Sequence, residues 1–339
     1  MGSIHLDSGA LFGSMSDIVG IKSGLILNKN NIIEVFRKHD LFEEYWNLED
    51  ETALRLDSVT FEEMIQLLLY SVGRLERREN FLPMASLIRK YGKDSEEFLI
   101  CEKIGQMFIE ILDKELDYSN MAPGTKIDPT KFLTKSVDDY GKLGLDIAYE
   151  IIQSFNAQFV ASPWGTLNQS EWHDEIELQA LFEKEELNPQ YGKFFDQRYI
   201  DYLHRNFKDI DRINWRKFEG LTGEYFEQQG FFVEMGPGRN DDGVDVRVWP
   251  SQDEKQKPPT MIIQCKREKR DVSKVVVKSL YADVLHEQAK GGLIVTISRL
   301  SPGAKKVSEV RNYPVQAAER NTLRVWLEEM RKPGAGIPY

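Results

Sequence analysis

The 339-residue chain has only two cysteines, Cys101 and Cys265, too few for a disulfide framework or a cysteine-based zinc cluster. It has no long apolar run. The longest, such as MIIQC and GGLIVTI, fall far short of the roughly 20 residues that a bilayer span requires. The N-terminus shows no basic stretch ahead of an apolar core, so a secretory leader is not expected and a reducing, cytoplasmic setting is. No internal repeat and no low-complexity tract is present. The glycine-rich GPGRNDDG, residues 236–243, lacks the Lys-Ser/Thr of a phosphate loop and the distal Glu of a calcium loop. What remains is 41% hydrophobic and 29% charged, the composition of a folded globular chain rather than a disordered one.

Net charge is −11, which taken whole speaks against a nucleic-acid partner. The charge is unevenly spread. Residues 1–204 hold 20 Lys+Arg against 36 Asp+Glu, a balance of −16, while residues 205–339 hold 24 against 19, a balance of +5. Two domains with different partners are expected, one acidic over 1–204 and one over 205–339 that can meet a polyanion.

The first 200 residues are predicted to be mostly helical. Thr60-Phe61-Glu62-Glu63 fits a capping box opening a helix over 61–75. After Asp94 or Ser95 as cap, Phe98, Cys101, Ile104, Phe108, Leu112 and Leu116 recur at helical spacing. Further helices are predicted over 144–155, 175–185 and 198–207, with loops near 122–130 and 163–165. From about residue 212 helix and strand alternate. A helix over 214–230 places Phe218, Leu221, Tyr225 and Phe226 on one stripe and stops at Gly230. Strands are predicted at FFVEM, GVDVRVW and TMIIQCK, then a helix over 273–289, a strand GGLIVTIS, and a helix opened by Ser301-Pro302. The order α-β-β-β-α-β-α implies a mixed sheet flanked by helices on both faces. The fold class is α+β overall, a helical N-terminal domain followed by an α/β domain.

Chemistry concentrates in that second half. In TMIIQCKREKR, Gln264 and Lys266 lie two apart on one strand and project together, with Ile263 and Cys265 on the opposite side. A lone Q-x-K is expected about once by chance in a chain of this length and composition, so its neighbours decide. Asp245 stands two residues past Gly243, and antiparallel pairing of 243–249 with 261–267 would put it across from Gln264 or nearly so. Glu219 on the preceding helix can add a second carboxylate. Carboxylates, an amide oxygen and an ammonium are what metal-assisted phosphodiester hydrolysis needs: oxygen ligands for a hard cation and a positive charge for the water and phosphate. Asp241 and Asp242 read as turn residues rather than ligands. Lys269, Arg270, Lys274 and Lys278, with Arg267, can meet DNA phosphates or form a solvated face. His286 and the Cys265 thiol read as packed rather than reactive.

These residues, in KFEGLTGEYFEQQGFFVEMGPGRNDDGVDVRVW…MIIQCKRE…GGLIVTISRLSPGA, resemble the Mrr-like restriction endonucleases of the PD-(D/E)xK nuclease superfamily, over about residues 212–312. The family pattern of a helix-borne Glu, a D-x-G-V-D turn and a Q-x-K strand falls on Glu219, on Asp245 within 241–245, and on Gln264 with Lys266. The resemblance implies a Mg²⁺-dependent endodeoxyribonuclease, Mn²⁺ being an alternative ion, used in restriction or anti-phage defence. It implies that Asp245, Gln264 and the Cys265 carbonyl hold the metal, that Lys266 serves the attacking water, and that Glu219 supports this metal or a second one. Gln264 stands where the wider superfamily has an acidic residue, as is usual in this branch. Competing readings are a catalytically silent DNA-binding or scaffold protein on the same fold, and a nuclease of DNA repair or of RNA. The implied partner is DNA, with no membrane, and the acidic half is expected to mediate a homodimer or bind a partner protein.

Overall fold

The computed structural model describes residues 3–75, 87, 90–92, 94–111, 128–161, 172–238 and 243–331. The chain divides into two compact units, Met1–Glu177 with Pro333–Tyr339, and Leu178–Lys332.

In the first unit two strands each run directly into a helix. Strand β1 (Ser3–Asp7) leads into α1 (Ser8–Ser23). After β2 (Leu25–Ile26) and α2 (Lys29–Lys38), β3 (Ala53–Asp57) leads into α3 (Ser58–Ser71) and pairs antiparallel with β1. The strand-to-helix switch is made by an aspartate in both cases. Asp7 accepts the Ala10 N–H at 2.7 Å, and Asp57 accepts the Thr60 N–H at 2.9 Å, each satisfying an otherwise orphaned donor of the first turn. Thr60 is therefore not the cap expected from its Glu at +3. The helix begins before it, because Asp57 supplies the stronger acceptor at the point where the strand ends.

Ser95 caps α4 (Glu96–Ile111) by accepting the Phe98 N–H at 3.0 Å. Phe98, Cys101, Ile104 and Phe108 then bury one stripe against Phe132, Ile147 and Ile151 of α5 (Thr130–Ala161). That long helix breaks at Gly141, whose φ of 59° and ψ of −143° lie outside the helical region. Leu112, Leu116, residues 122–127 of the loop expected near 122–130, and the loop expected near 163–165 lie outside the described residues, and α5 begins at Thr130. The helix expected over 175–185 is not formed as one element. Ile176 donates its N–H to Gly24 at 2.9 Å, so β4 (Ile176–Glu177) pairs parallel with β2, and only one turn, α6 (Ala180–Glu183), follows.

The second unit carries α7 (Gln197–Arg205), α8 (Trp215–Gln228) and a five-stranded mixed sheet. Strands β5 (Phe232–Met235), β6 (Val246–Trp249) and β7 (Met261–Lys266) are antiparallel neighbours. Helix α9 (Lys274–His286) leads to β8 (Gly291–Thr296), parallel to β7. Helix α10 (Pro302–Val310) leads to β9 (Val315–Ala318), parallel to β8, and α11 (Arg320–Met330) closes the unit. Ile262 and Ile294 pack with Val277, Leu280 and Val284 of α9 on one face. On the other face Cys265 meets Thr222 of α8. Helices thus cover both faces, and β9 with α11 extends the predicted order by one strand and one helix.

Residues 178–204 belong to this unit. The buried Glu224 carboxylate of α8 accepts the N–H groups of Lys193, Phe194 and Phe195 at 2.8, 2.8 and 3.3 Å. Asp196 and Arg198 form a fully enclosed ion pair at 2.8 Å. Gln197 donates to the Met330 carbonyl at 3.1 Å, tying α7 to the end of α11.

Candidate active site

The site begins as a register. Val246 faces Ile263 and Arg247 faces Ile262, so one step back along β6 brings Asp245 opposite Gln264. Two hydrogen bonds hold this step. The Asp245 N–H donates to the Ile263 carbonyl at 2.9 Å, and the Cys265 N–H donates to Asp245 Oδ2 at 2.5 Å. Asp245 is 7% exposed and Gln264 6%. The turn that delivers Asp245 requires Gly243, at φ +89°, where a Cβ would stand 2.7 Å from Gln264 Nε2. Positive φ and close approach both restrict this position to glycine.

Gln264 Oε1 is buried and has no hydrogen-bond partner among the described residues. Buried polar atoms are almost always satisfied, and an amide oxygen without a donor, opposite Asp245 in register, can accept a cation. Lys266, two residues on, is half-buried and pairs with Thr296 across the parallel β7–β8 ladder. Its ammonium makes no hydrogen bond or ion pair among the described residues.

Glu219 lies in the middle of α8, 5% exposed. It accepts from Arg216 Nη1 at 2.6 Å. Its charge reaches the strand, for burial first, then the Asp245 carboxylate and Glu219, push the Cys265 thiol well above its ordinary pKa, against a hydrogen bond to Thr222. Cys265 is therefore a packed, protonated thiol whose Sγ lies 3.5 Å from Thr222 Oγ1. Its main-chain N–H is the group that meets the Asp245 carboxylate.

The basic candidates separate into groups. Arg267 turns its guanidinium to the Asp211 carbonyl at 3.1 Å, and Arg270 pairs with Glu268. Lys269 lines a cavity of about 510 Å³ with Asp271, Ser298, Arg299, Glu319 and Arg320. Lys274 and Lys278 are exposed, four residues apart on α9. Asp245, Gln264, Cys265 and Lys266 come together, whereas these cations are spread from the end of β7 to the outer face of α9. Asp241 and Asp242 lie outside the described residues. His286, expected to be packed, is exposed at the last turn of α9, where the helix has already left the core.

Arg216 joins the site through contacts that the sequence pattern alone does not single out. Its signal is present, a cation three residues before an acid on one helix face, but its second contact, to the Gly236 carbonyl at 2.7 Å, depends on the tertiary fold. Among the described residues no three His, Cys, Asp or Glu side chains converge as a metal cage. A metal here would draw on amide and main-chain oxygens beside Asp245, which suits a hard cation that keeps several waters. No helix among the described residues is long and apolar enough to cross a membrane.

Comparison with known proteins bears on the same segment. Residues 210–327 match the Mrr_cat family, a restriction endonuclease family. An uncharacterized protein, y4cE, of Sinorhizobium fredii (strain NBRC 101917 / NGR234) is 23% identical over 129 residues, 38% of this chain and 33% of the relative. The chain thus spans about a third of the length of the curated relative it matches. A solved structure, MspJI restriction endonuclease in complex with a 27-mer oligonucleotide, is similar at 17% identity and a TM-score of 0.26, over 60% of this chain and 51% of that one. A likeness at that level carries no architectural argument.

Proposed function

We propose that this chain, whose C-terminal third carries a restriction-endonuclease domain, cleaves DNA phosphodiester bonds with a divalent metal, Mg²⁺ or in its place Mn²⁺, in restriction or anti-phage defence. The observation that carries the reading is the buried Gln264 Oε1, without a hydrogen-bond partner among the described residues, one register step beyond the β6–β7 pairing that brings Asp245 opposite Gln264, inside the matched segment. The residues fit the group. Asp245, the Gln264 amide oxygen and the Cys265 carbonyl would form an all-oxygen set, and Glu219 on α8 would serve the same ion or a second one. A divalent ion bound there supplies Lewis-acid polarisation of the phosphate and a more acidic water.

The chain's own residues do the rest. The Cys265 N–H fixes one Asp245 oxygen, so the carboxylate is oriented before any ligand arrives. Burial keeps competing water from Asp245 and Gln264 and strengthens every charge interaction there. The Lys266 ammonium holds the attacking water and neutralises charge that develops on the phosphate oxygens. Arg267, Lys269, Arg270, Lys274 and Lys278 offer the phosphate contacts, Lys269 beside its cavity and Lys274 with Lys278 as an exposed pair, while Arg267 and Arg270 must exchange their present partners.

The test is a cleavage assay on plasmid, linear and methylated DNA and on RNA, with and without Mg²⁺ or Mn²⁺. Metal-dependent nicking or cutting of DNA is expected. Cleavage of RNA alone would move the reading to a ribonuclease. Metal-independent binding of DNA without any cleavage would favour a silent binding protein on this fold.

A further inference from the structure

Arg216 lies outside the Glu-Asp-Gln-Lys set, yet it links two parts of it. Its side chain is 15% exposed and its guanidinium spans two acceptors. Nη1 meets Glu219 Oε2 at 2.6 Å and Nη2 meets the Gly236 carbonyl at 2.7 Å. The Gly236 N–H in turn donates to the Asp245 carbonyl at 2.8 Å. Gly238 stands against this guanidinium, for a Cβ there would lie 3.1 Å from Arg216 Cζ. One planar group therefore connects the helix carboxylate to the turn that delivers the strand carboxylate. We infer that Arg216 is a positioning residue that sets Glu219 against Asp245 for divalent-metal binding. The inference rests on the metal-nuclease reading above.

Two physical arguments support it. A carboxylate as buried as Glu219 needs a compensating charge and a fixed geometry, and a bidentate-capable guanidinium supplies both where an ammonium supplies only charge. Groups that hydrogen-bond a ligating carboxylate orient it, and losing one costs roughly 10–100-fold in metal affinity. An ion pair that only braced α8 to the turn would stabilise the fold without this dependence.

The experiment titrates Mn²⁺ into the full chain without DNA, for wild type, Arg216→Met, Arg216→Lys, Glu219→Gln and the Arg216→Met/Glu219→Gln double variant, with thermal unfolding alongside. Arg216→Met is expected to weaken Mn²⁺ binding by roughly tenfold or more, and Arg216→Lys by less. In the Glu219→Gln background Arg216→Met should add nothing, because Arg216 acts through Glu219. Wild-type affinity in Arg216→Met, the same loss in both backgrounds, or a wild-type chain that binds no Mn²⁺ would each overturn the inference. Should Arg216→Met not fold, the same cycle built on Arg216→Lys decides. A chain that shows the expected Mn²⁺ pattern but cuts no DNA keeps the role of Arg216 and removes the nuclease reading.

Discussion

At Gln264 a strand inside the sheet holds an amide oxygen with no donor among the described residues, a feature that costs roughly 1–3 kcal/mol of stability. Replacing it with a side chain of similar shape and no oxygen should therefore separate stability from function. Gln264→Met is expected to unfold at higher urea than wild type, by about 1 kcal/mol, while losing metal binding and cleavage. Lower stability together with retained cleavage would show that the amide serves the fold. Gln264→Glu restores the wider superfamily's acidic ligand and should keep partial activity, with a preference moved towards Mn²⁺; complete inactivity at unchanged metal affinity would assign the amide another role. Asp245→Ala and Lys266→Ala remove the carboxylate and the ammonium proposed to meet the metal and the phosphate. Each should cut the cleavage rate by roughly 10²–10³ or more with a native circular dichroism spectrum, and wild-type rates in either folded variant would dismiss the assignment. Asp245, Gln264 and Lys266 could be singled out in the sequence because a strand's two-residue period and a glycine turn are local. Arg216 could not, because its partner carbonyl arrives from a turn 20 residues away.

Elements were readable where period and punctuation agreed. Strands β5, β7 and β8 and helices α8, α9 and α10 each pair an apolar pattern with a cap or glycine stop, and the structure forms them. The short strands β1 and β3 were not read, because five residues such as SIHLD or ALRLD gain their strand character only from each other. Strand β9, VQAA, carries too little apolar pattern to be seen. Helix α11 does carry a helical signal in its sequence, for Leu323, Trp326, Leu327 and Met330 are buried at helical spacing. Helix α8 shows packing overriding propensity. A Cβ at Gly220 would stand 2.7 Å from the Phe194 carbonyl and 2.8 Å from Leu187 Cδ2. Alanine gains up to about 1 kcal/mol of helix propensity over glycine, but a main-chain oxygen cannot give way as a side chain can. Gly220→Ala is expected to destabilise by about 1–3 kcal/mol, measured as the urea midpoint of the full chain. A stabilised variant would mean that the 187–195 segment yields to the helix.

For the molecule as a whole, packing draws the second unit's boundary earlier than charge does. The charge split at 204/205 gives −16 and +5, but a fragment beginning at 205 would remove the N–H partners of Glu224 at 193–195 and the Gln197 contact to Met330. The compact unit begins at Leu178, and residues 178–339 hold 27 Lys+Arg against 24 Asp+Glu, a balance of +3, leaving −14 on 1–177. Phosphate contacts supply essentially all non-specific affinity for DNA, so, on the proposed nuclease reading, an acidic body on the same chain is expected to lower the pull of bulk DNA on the C-terminal unit. The opposing effect is screening, since charges further apart than about 8 Å interact little at physiological salt. A DNA titration of the full chain, a 178–339 fragment and a 205–339 fragment at several salt concentrations decides between them. The 178–339 fragment should bind more tightly than the full chain and lose affinity more steeply with salt, and the 205–339 fragment should unfold at lower urea than 178–339. Equal or tighter binding by the full chain would make the acidic half a recognition or assembly module, because it would then be adding contacts that outweigh its own repulsion.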